Sequence, residues 1–262
     1  MKKILCLLLF AILWVGILPA QKLKEAQDTD KNILNAALKG WRMRISAGFN
    51  IGGCAPLPLP REIRSIDGYH PGLNFALEGD VDKSFGSSKK WGARVGLRLE
   101  TKGMTTDATT KNYHMEAVNT DGSGKIVGAW TGKVKTKVRN TYLTIPILAT
   151  YTFNDRWAVS VGPYFSRLLD GEFSGEAYEG YIRDQNPTGE KAEVTRATYD
   201  FSQDLCKFHW GIQVGGEFKA YKHLSVMANL QWGNNGIFPS DFQSVTFALY
   251  PIYATVGFAY LF

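Results

Sequence analysis

The stretch Trp41-Arg42-Met43-Arg44-Ile45-Ser46-Ala47-Gly48-Phe49-Asn50-Ile51 alternates without a break. Trp41, Met43, Ile45, Ala47, Phe49 and Ile51 share one face, and Arg42, Arg44, Ser46, Gly48 and Asn50 share the other. A period of two is that of a pleated strand, whose side chains point to opposite faces in turn. Working outward, the same period recurs. Leu73–Asp82 sets Leu73, Phe75, Leu77 and Val81 against Asn74, Glu78, Asp80 and Asp82. Trp91–Lys102 sets Trp91, Ala93, Val95, Leu97 and Leu99 against Arg94, Arg98, Glu100 and Lys102. A fourth segment ends at Phe153, with Leu143, Ile145, Ile147 and Tyr151 in phase. Upstream of it Val134 and Val138 take the opposite phase, which predicts a bulge or break near Asn140. Trp157–Leu169, Phe208–Phe218, Leu224–Trp232 and Tyr250–Phe262 complete a set of eight. Each runs to about ten residues, the length a tilted strand needs to cross a bilayer.

The connections alternate as well. Gly86–Lys90, Asn154-Asp155 and Tyr221–His223 are tight turns, whereas Gly52–Gly72, Gly103–Lys133, Asp170–Leu205 and Gly233–Ser244 are long and polar. Trp41, Phe85, Trp91, Phe153, Trp157, Phe218, Tyr221, Tyr260 and Phe262 gather at the short-turn ends of the segments. Phe75, Phe165, Trp210, Trp232 and Tyr250 lie toward the other ends. Two aromatic belts are what lipid–water boundaries select, and a soluble lipocalin-like sheet would turn its aromatics inward. The expected fold is all-β: an eight-stranded antiparallel transmembrane β-barrel with short periplasmic turns and long extracellular loops. Pro146, Pro163 and Pro251 each cost such a barrel a ladder hydrogen bond, which predicts bulges, strand ends or positions above the membrane for them.

Composition agrees. The 262 residues are 45% hydrophobic, 21% charged and 13% aromatic, which excludes a disordered chain. A long apolar run occurs only within the first twenty residues, which excludes a polytopic helical membrane protein. Lys2 and Lys3 precede the apolar stretch Ile4–Leu18, and Ala20 offers a cleavage point, so residues 1–20 read as a secretory signal peptide. Residues 21–40 are expected to form a periplasmic arm and residues 41–262 the barrel domain. The net charge of +6 is mild and forms no basic stripe, which excludes nucleic acid as a partner. Cys54 and Cys206 remain after export; spacing alone decides neither for nor against a disulfide.

Tyr142-Leu143-Thr144-Ile145-Pro146-Ile147-Leu148, followed by Tyr151-Thr152-Phe153, resembles a strand of the PorT-like outer-membrane β-barrel proteins of Bacteroidota. Val161-Gly162-Pro163-Tyr164-Phe165-Ser166-Arg167-Leu168-Leu169, Gly215-Gly216-Glu217-Phe218 and Gly257–Phe262 are similar to that family's later segments. Thr144 stands where the family often has an acidic residue. The resemblance implies location in the outer membrane and, for some members, a link to protein secretion or gliding. Phe262 resembles the terminal aromatic by which barrel-assembly machinery recognises its clients.

An eight-stranded barrel is just wide enough inside for side chains. The inward set here includes Arg42, Arg44, Glu78, Asp80, Asp82, Arg94, Arg98, Glu100, Lys102 and Glu217. Folding about Gly86–Lys90 brings Asp80 and Asp82 opposite Arg94, and Glu78 near Arg98. Signs this nearly balanced imply an ionic network that plugs the lumen. No catalytic site, metal site or cofactor is expected. His209 points inward, but no serine or carboxylate stands at a diagnostic spacing from any histidine. The loop 170–204 holds nine acids without calcium-loop spacing and reads as a solvated surface. The expected role is structural or partner-binding, non-enzymatic and non-conducting. Its partners would be outer-membrane lipid, assembly machinery and a secretion or cell-envelope protein. A narrow pore for small solutes is the alternative, and a lipid-modifying enzyme is the third class.

Overall fold

A computed structural model describes residues 40–119, 125–184, 187–242, 244–245 and 247–262. The signal peptide and nearly all of the arm, residues 1–39, lie outside the described residues. The strands are β1 (Trp41–Pro56), β2 (Ile63–His70), β3 (Phe75–Phe85), β4 (Trp91–Asn119), β5 (Lys125–Thr152), β6 (Trp157–Asp184), β7 (Lys191–Asp200), β8 (Phe208–Lys219), β9 (Leu224–Gly233) and β10 (Leu249–Leu261). All eight expected segments are strands, and β2 and β7 are two more, lying within the long connections expected to be loops.

Eight strands pair antiparallel in a closed circuit, β1–β3–β4–β5–β6–β8–β9–β10 and back to β1. Closure leaves this part of the sheet without an edge. The last rung sits at the chain ends, where Phe262 N donates to the Met43 carbonyl (3.0 Å) and Leu261 N to that of His223 (2.8 Å). The tight turns have local causes. Gly86 takes φ +73° between β3 and β4, and the Asn154 side chain accepts from the amides of Arg156 and Trp157, both at 2.9 Å, to reverse the chain into β6.

The long connections are where expectation and structure part. β4, β5 and β6 run for 29, 28 and 28 residues, while about ten suffice to cross a membrane. Most of each therefore projects beyond the first circuit. Within the expected loop 103–133, residues 103–119 continue β4 and residues 125–133 begin β5, and most of the expected acidic loop 170–204 is the β6–β7 hairpin. β7 pairs with β6 on one side and, through Val118 and Asn119, with β4 on the other. The strands β4, β5, β6 and β7 thus close a second, four-stranded circuit above the first. The acids of the hairpin face basic residues of β5 and β7: Lys133 meets Glu179 (2.6 Å), Lys137 meets Glu172 (2.8 Å), and Arg196 meets Glu176.

The two circuits are filled differently. In the lower one the apolar face is outside; Ile45, Phe49, Leu97, Ile147, Val161 and Phe258 are all exposed. In the upper one Trp130, Val134, Val138, Phe173, Ile182 and Tyr199 form an internal core. The expected bulge near Asn140 is present, yet it belongs to the partner strand: β6 slips by one residue between Leu168 and Asp170. On β5 the phase continues unbroken, and it is the surroundings that invert. Two of the three prolines also depart from expectation, and Pro251 meets it. Pro146 and Pro163 sit in mid-strand in an unshifted register, beside positions where the β5–β6 ladder lacks pairs. Pro251 lies near the start of β10.

Candidate functional site

The interior of the lower circuit is a stack of polar layers built from alternate residues of each strand. At the short-turn mouth Arg42 binds Asp82 (2.8 Å), its own side chain half exposed rather than enclosed. Above it Arg44 grips Asp80 (2.8 Å) and Glu217 (3.0 Å), and Arg94 reaches the same Glu217 at 3.0 Å, Asp80 at 3.5 Å and Asp82 at 3.7 Å. The next layer joins Arg98 to Glu78 at 2.5 Å through Nε and Nη2, and the same Nη2 donates to the side-chain oxygen of Gln213 at 3.0 Å. Gln231 donates to that oxygen too, at 3.1 Å. Glu100 follows, accepting from Thr144 (2.7 Å), Asn50 (3.3 Å) and Lys102 (3.0 Å), with Arg98 at 3.7 Å.

The register explains why these groups meet. Arg42 lies opposite Asp82 and Arg44 opposite Asp80 across β1–β3; Asp82 lies opposite Arg94 and Glu78 opposite Arg98 across β3–β4. Of the residues singled out from sequence, Arg44, Glu78, Asp80, Asp82, Arg94, Arg98 and Glu100 are buried in this column. Five cations (Arg42, Arg44, Arg94, Arg98, Lys102) face five carboxylates (Glu78, Asp80, Asp82, Glu100, Glu217). Charges removed from water are tolerated when paired and hydrogen-bonded; the pairing is complete here, while Glu78 Oε1, Arg94 Nε and Arg98 Nη1 are buried without a hydrogen-bond partner. A void of about 10 Å³ beside Arg44, Arg94 and Glu217 has room for little more than a water molecule.

A layer of tyrosines closes the column. The Lys102 ammonium lies 5.4 Å from the ring centres of Tyr142 and Tyr164 and 5.6 Å from that of Tyr253, within cation–π range of all three. Sequence reasoning found Lys102 but not its cage, because Tyr142, Tyr164 and Tyr253 come from three separate strands. Their phase was the available signal: each falls on its strand's inward face. Thr144, the departure from the PorT-like pattern, donates to Glu100 and contacts the Ser166 hydroxyl at 2.7 Å. An acid at that position would set a second carboxylate against Glu100.

The interior histidine is His209. Its Nε2 lies 3.0 Å from the Cys206 carbonyl oxygen and its ring meets Tyr142 edge-on at 5.4 Å. His223 binds the Leu261 carbonyl through Nδ1 (2.8 Å) and stacks on Tyr260. Cys54 and Cys206 are separate thiols, with Cys54 Sγ 4.0 Å from the Tyr253 hydroxyl. Among the described residues no three His, Cys, Asp or Glu side chains are grouped so as to hold a metal.

The profile of the family described as outer membrane protein beta-barrel domain matches residues 20–238. No curated protein matches the sequence. Among solved structures, the attachment invasion locus protein Ail of Yersinia pestis is similar at 10% identity, over 85% of this chain and 97% of that one, with a TM-score of 0.34. The outer membrane protease OmpT of Escherichia coli is similar at 13% identity over 86% and 97%, with a TM-score of 0.31. A porin of Rhodopseudomonas blastica gives 9% identity over 85% and 99%, with a TM-score of 0.18.

Proposed function

We propose that this chain, which belongs to the outer membrane protein β-barrel domain family, is a non-conducting, non-enzymatic member that presents its upper sheet to another component of the cell envelope. The filled interior carries this reading. From Arg42 to the Lys102 cage, successive layers occupy the space through which solute would pass, and each cation has a carboxylate partner. Opening a path would strand charges in a poorly hydrated interior, at about 3–5 kcal/mol for each broken pair.

The finer placement follows from the same reading. Residues 1–20 direct export and are cleaved, residues 21–40 form a periplasmic arm, and the short turns face the periplasm. The upper circuit then projects outward, and Phe262 serves as the recognition signal for barrel assembly. The PorT-like motifs point to a Bacteroidota lineage and to a secretion-associated partner.

Planar-bilayer recording on the refolded full chain tests the closed lumen. The expected result is no single-channel steps from the unchanged protein and steps once Arg44→Ala, Arg94→Ala and Glu217→Ala are combined. Reproducible conductance from the unchanged protein, with selectivity altered by Arg94→Ala alone, would replace this reading with a narrow pore. Crosslinking in native membranes followed by mass spectrometry identifies the partner. An unchanged lipid A mass spectrum on expression is the expected result for a protein that does not modify lipid.

A further inference from the structure

Above the Lys102 layer the wall is not continuous on one side. β3 begins at Phe75, opposite Phe49, so the remainder of β1 has no ladder partner on that edge. β2 fills the position beside β4 but pairs with β4 alone. Among the described residues no ladder joins β1 to β2, and the seam is bridged by the Tyr69 hydroxyl donating to the Gly52 carbonyl at 2.8 Å.

Behind the seam lies a cavity of about 470 Å³, within the range of small-molecule sites. Met104, Val134, Phe173, Phe247, Leu249 and Ile252 are among its lining residues, and among the described residues no Lys, Arg, His, Asp or Glu lines it. The Tyr199 hydroxyl on its wall is already engaged by Thr136 (2.6 Å) and the Lys135 carbonyl (3.1 Å). Burial pushes the Tyr113 and Tyr199 phenols above their ordinary range, so both stay neutral. The lip of the seam is apolar as well: Leu59 is 58% exposed, Ile66 60% and, just before β3, Leu73 80%. Directly below, Phe49 and Phe75 pack ring to ring at 5.1 Å on the outward face of the lower circuit. The apolar side chains of the lip thus stand next to the surface that meets lipid.

We propose that this cavity holds an acyl chain of a membrane lipid, which enters sideways through the β1–β2 seam while its headgroup stays outside. The lining is mostly apolar, with a few hydroxyls such as those of Thr106 and Tyr113, so the cavity gives water few hydrogen-bond partners and favours an apolar occupant. A free fatty acid fits less well, because its carboxylate finds no cation along the lining. The lower end of the seam adjoins the Phe49–Phe75 pair, so a lipid chain reaches it from the top of the lipid-facing surface. The assignment depends on the ring standing in the membrane and is independent of whether the lumen conducts.

The test uses the full chain in nanodiscs of phosphatidylcholine carrying a diazirine at the end of one acyl chain. After irradiation, adducts are mapped by peptide mass spectrometry. Adducts on Met104, Val134 and Phe173 are expected in addition to those on the exposed residues Phe49 and Ile51, beside Phe75 of the upper belt, which serve as the belt reference. Ala108→Trp, placed on the cavity wall, is expected to lower the cavity adducts about tenfold or more, since excluding even two methylenes is worth that much. Belt adducts should not change. Labelling confined to belt residues in the unchanged protein would overturn the proposal. So would cavity labelling by a diazirine fatty acid but not by the lipid, which would assign the cavity to a free fatty acid. The adduct map of the unchanged protein decides the matter even if Ala108→Trp fails to fold. Failure of the closed-lumen reading would show itself separately, as conductance.

Discussion

Residues 133–140 and 141–150 belong to one strand, β5, and alternate with one phase, yet their faces carry opposite chemistry. In the first stretch Lys133, Lys135, Lys137 and Arg139 point outward, while Val134 and Val138 are buried inside. In the second Ile145 and Ile147 are exposed outside, while Tyr142, Thr144 and Thr150 are buried. The backbone does the same thing in both. On the proposed placement what changes is the solvent: the upper circuit has water outside and must bury its apolar side chains, whereas the lower circuit has lipid outside and can present them there. A single strand can thus cross from an inside-out to a conventional arrangement without a bulge of its own.

The largest expected effect is in the lower circuit. Arg98→Ala leaves Glu78 and Glu100 without their shared cation and should cost about 3–5 kcal/mol in denaturant unfolding from lipid vesicles. A loss below 1 kcal/mol would mean that water reaches this layer and that the two interiors differ less than their composition implies. In the upper circuit Ile182→Ala removes a core side chain and should cost about 2–5 kcal/mol, depending on how far the site collapses. Hydrogen exchange should place the loosened amides in β5–β7, with the lower ladders still protected. The inversion along β5 can be probed by paired changes on its outward face. Ile147→Lys, which puts a cation into lipid, should cost about 2–4 kcal/mol. Lys135→Ile, at the same phase but above the membrane, should stay within about 0.5 kcal/mol. Equal effects at the two positions would place both in the same medium. Smallest of all, Lys133→Ala removes a solvent-exposed partner of Glu179 and should leave the unfolding midpoint unchanged.

Within the ring much was legible in the order of residues. The pairings of Asp82 with Arg94 and of Glu78 with Arg98 followed from the short turn alone, because a tight hairpin admits few registers and the phase selects among them. The rest of the interior was not so legible. Lys102, Tyr142, Tyr164 and Tyr253 lie on four strands, and their meeting depends on the stagger of the whole circuit, which no local pattern encodes. The projecting sheet was hidden for a different reason. A strand with a polar outer face and small or charged residues reads as a loop when lipid-facing alternation is the template, and β2, β7 and the upper parts of β4, β5 and β6 were assigned that way.

Sequence by itself determined the period, the eight crossing segments and the charged character of the lower interior. Alternation is a property of neighbours in the chain, and a one-residue slip would expose every charge to lipid. Tertiary structure alone decided that β7 returns to β4 to close a second circuit, that Lys102 is caged, and that β1 and β2 leave a seam over an apolar cavity. These depend on which distant strands meet and on where their pairing stops.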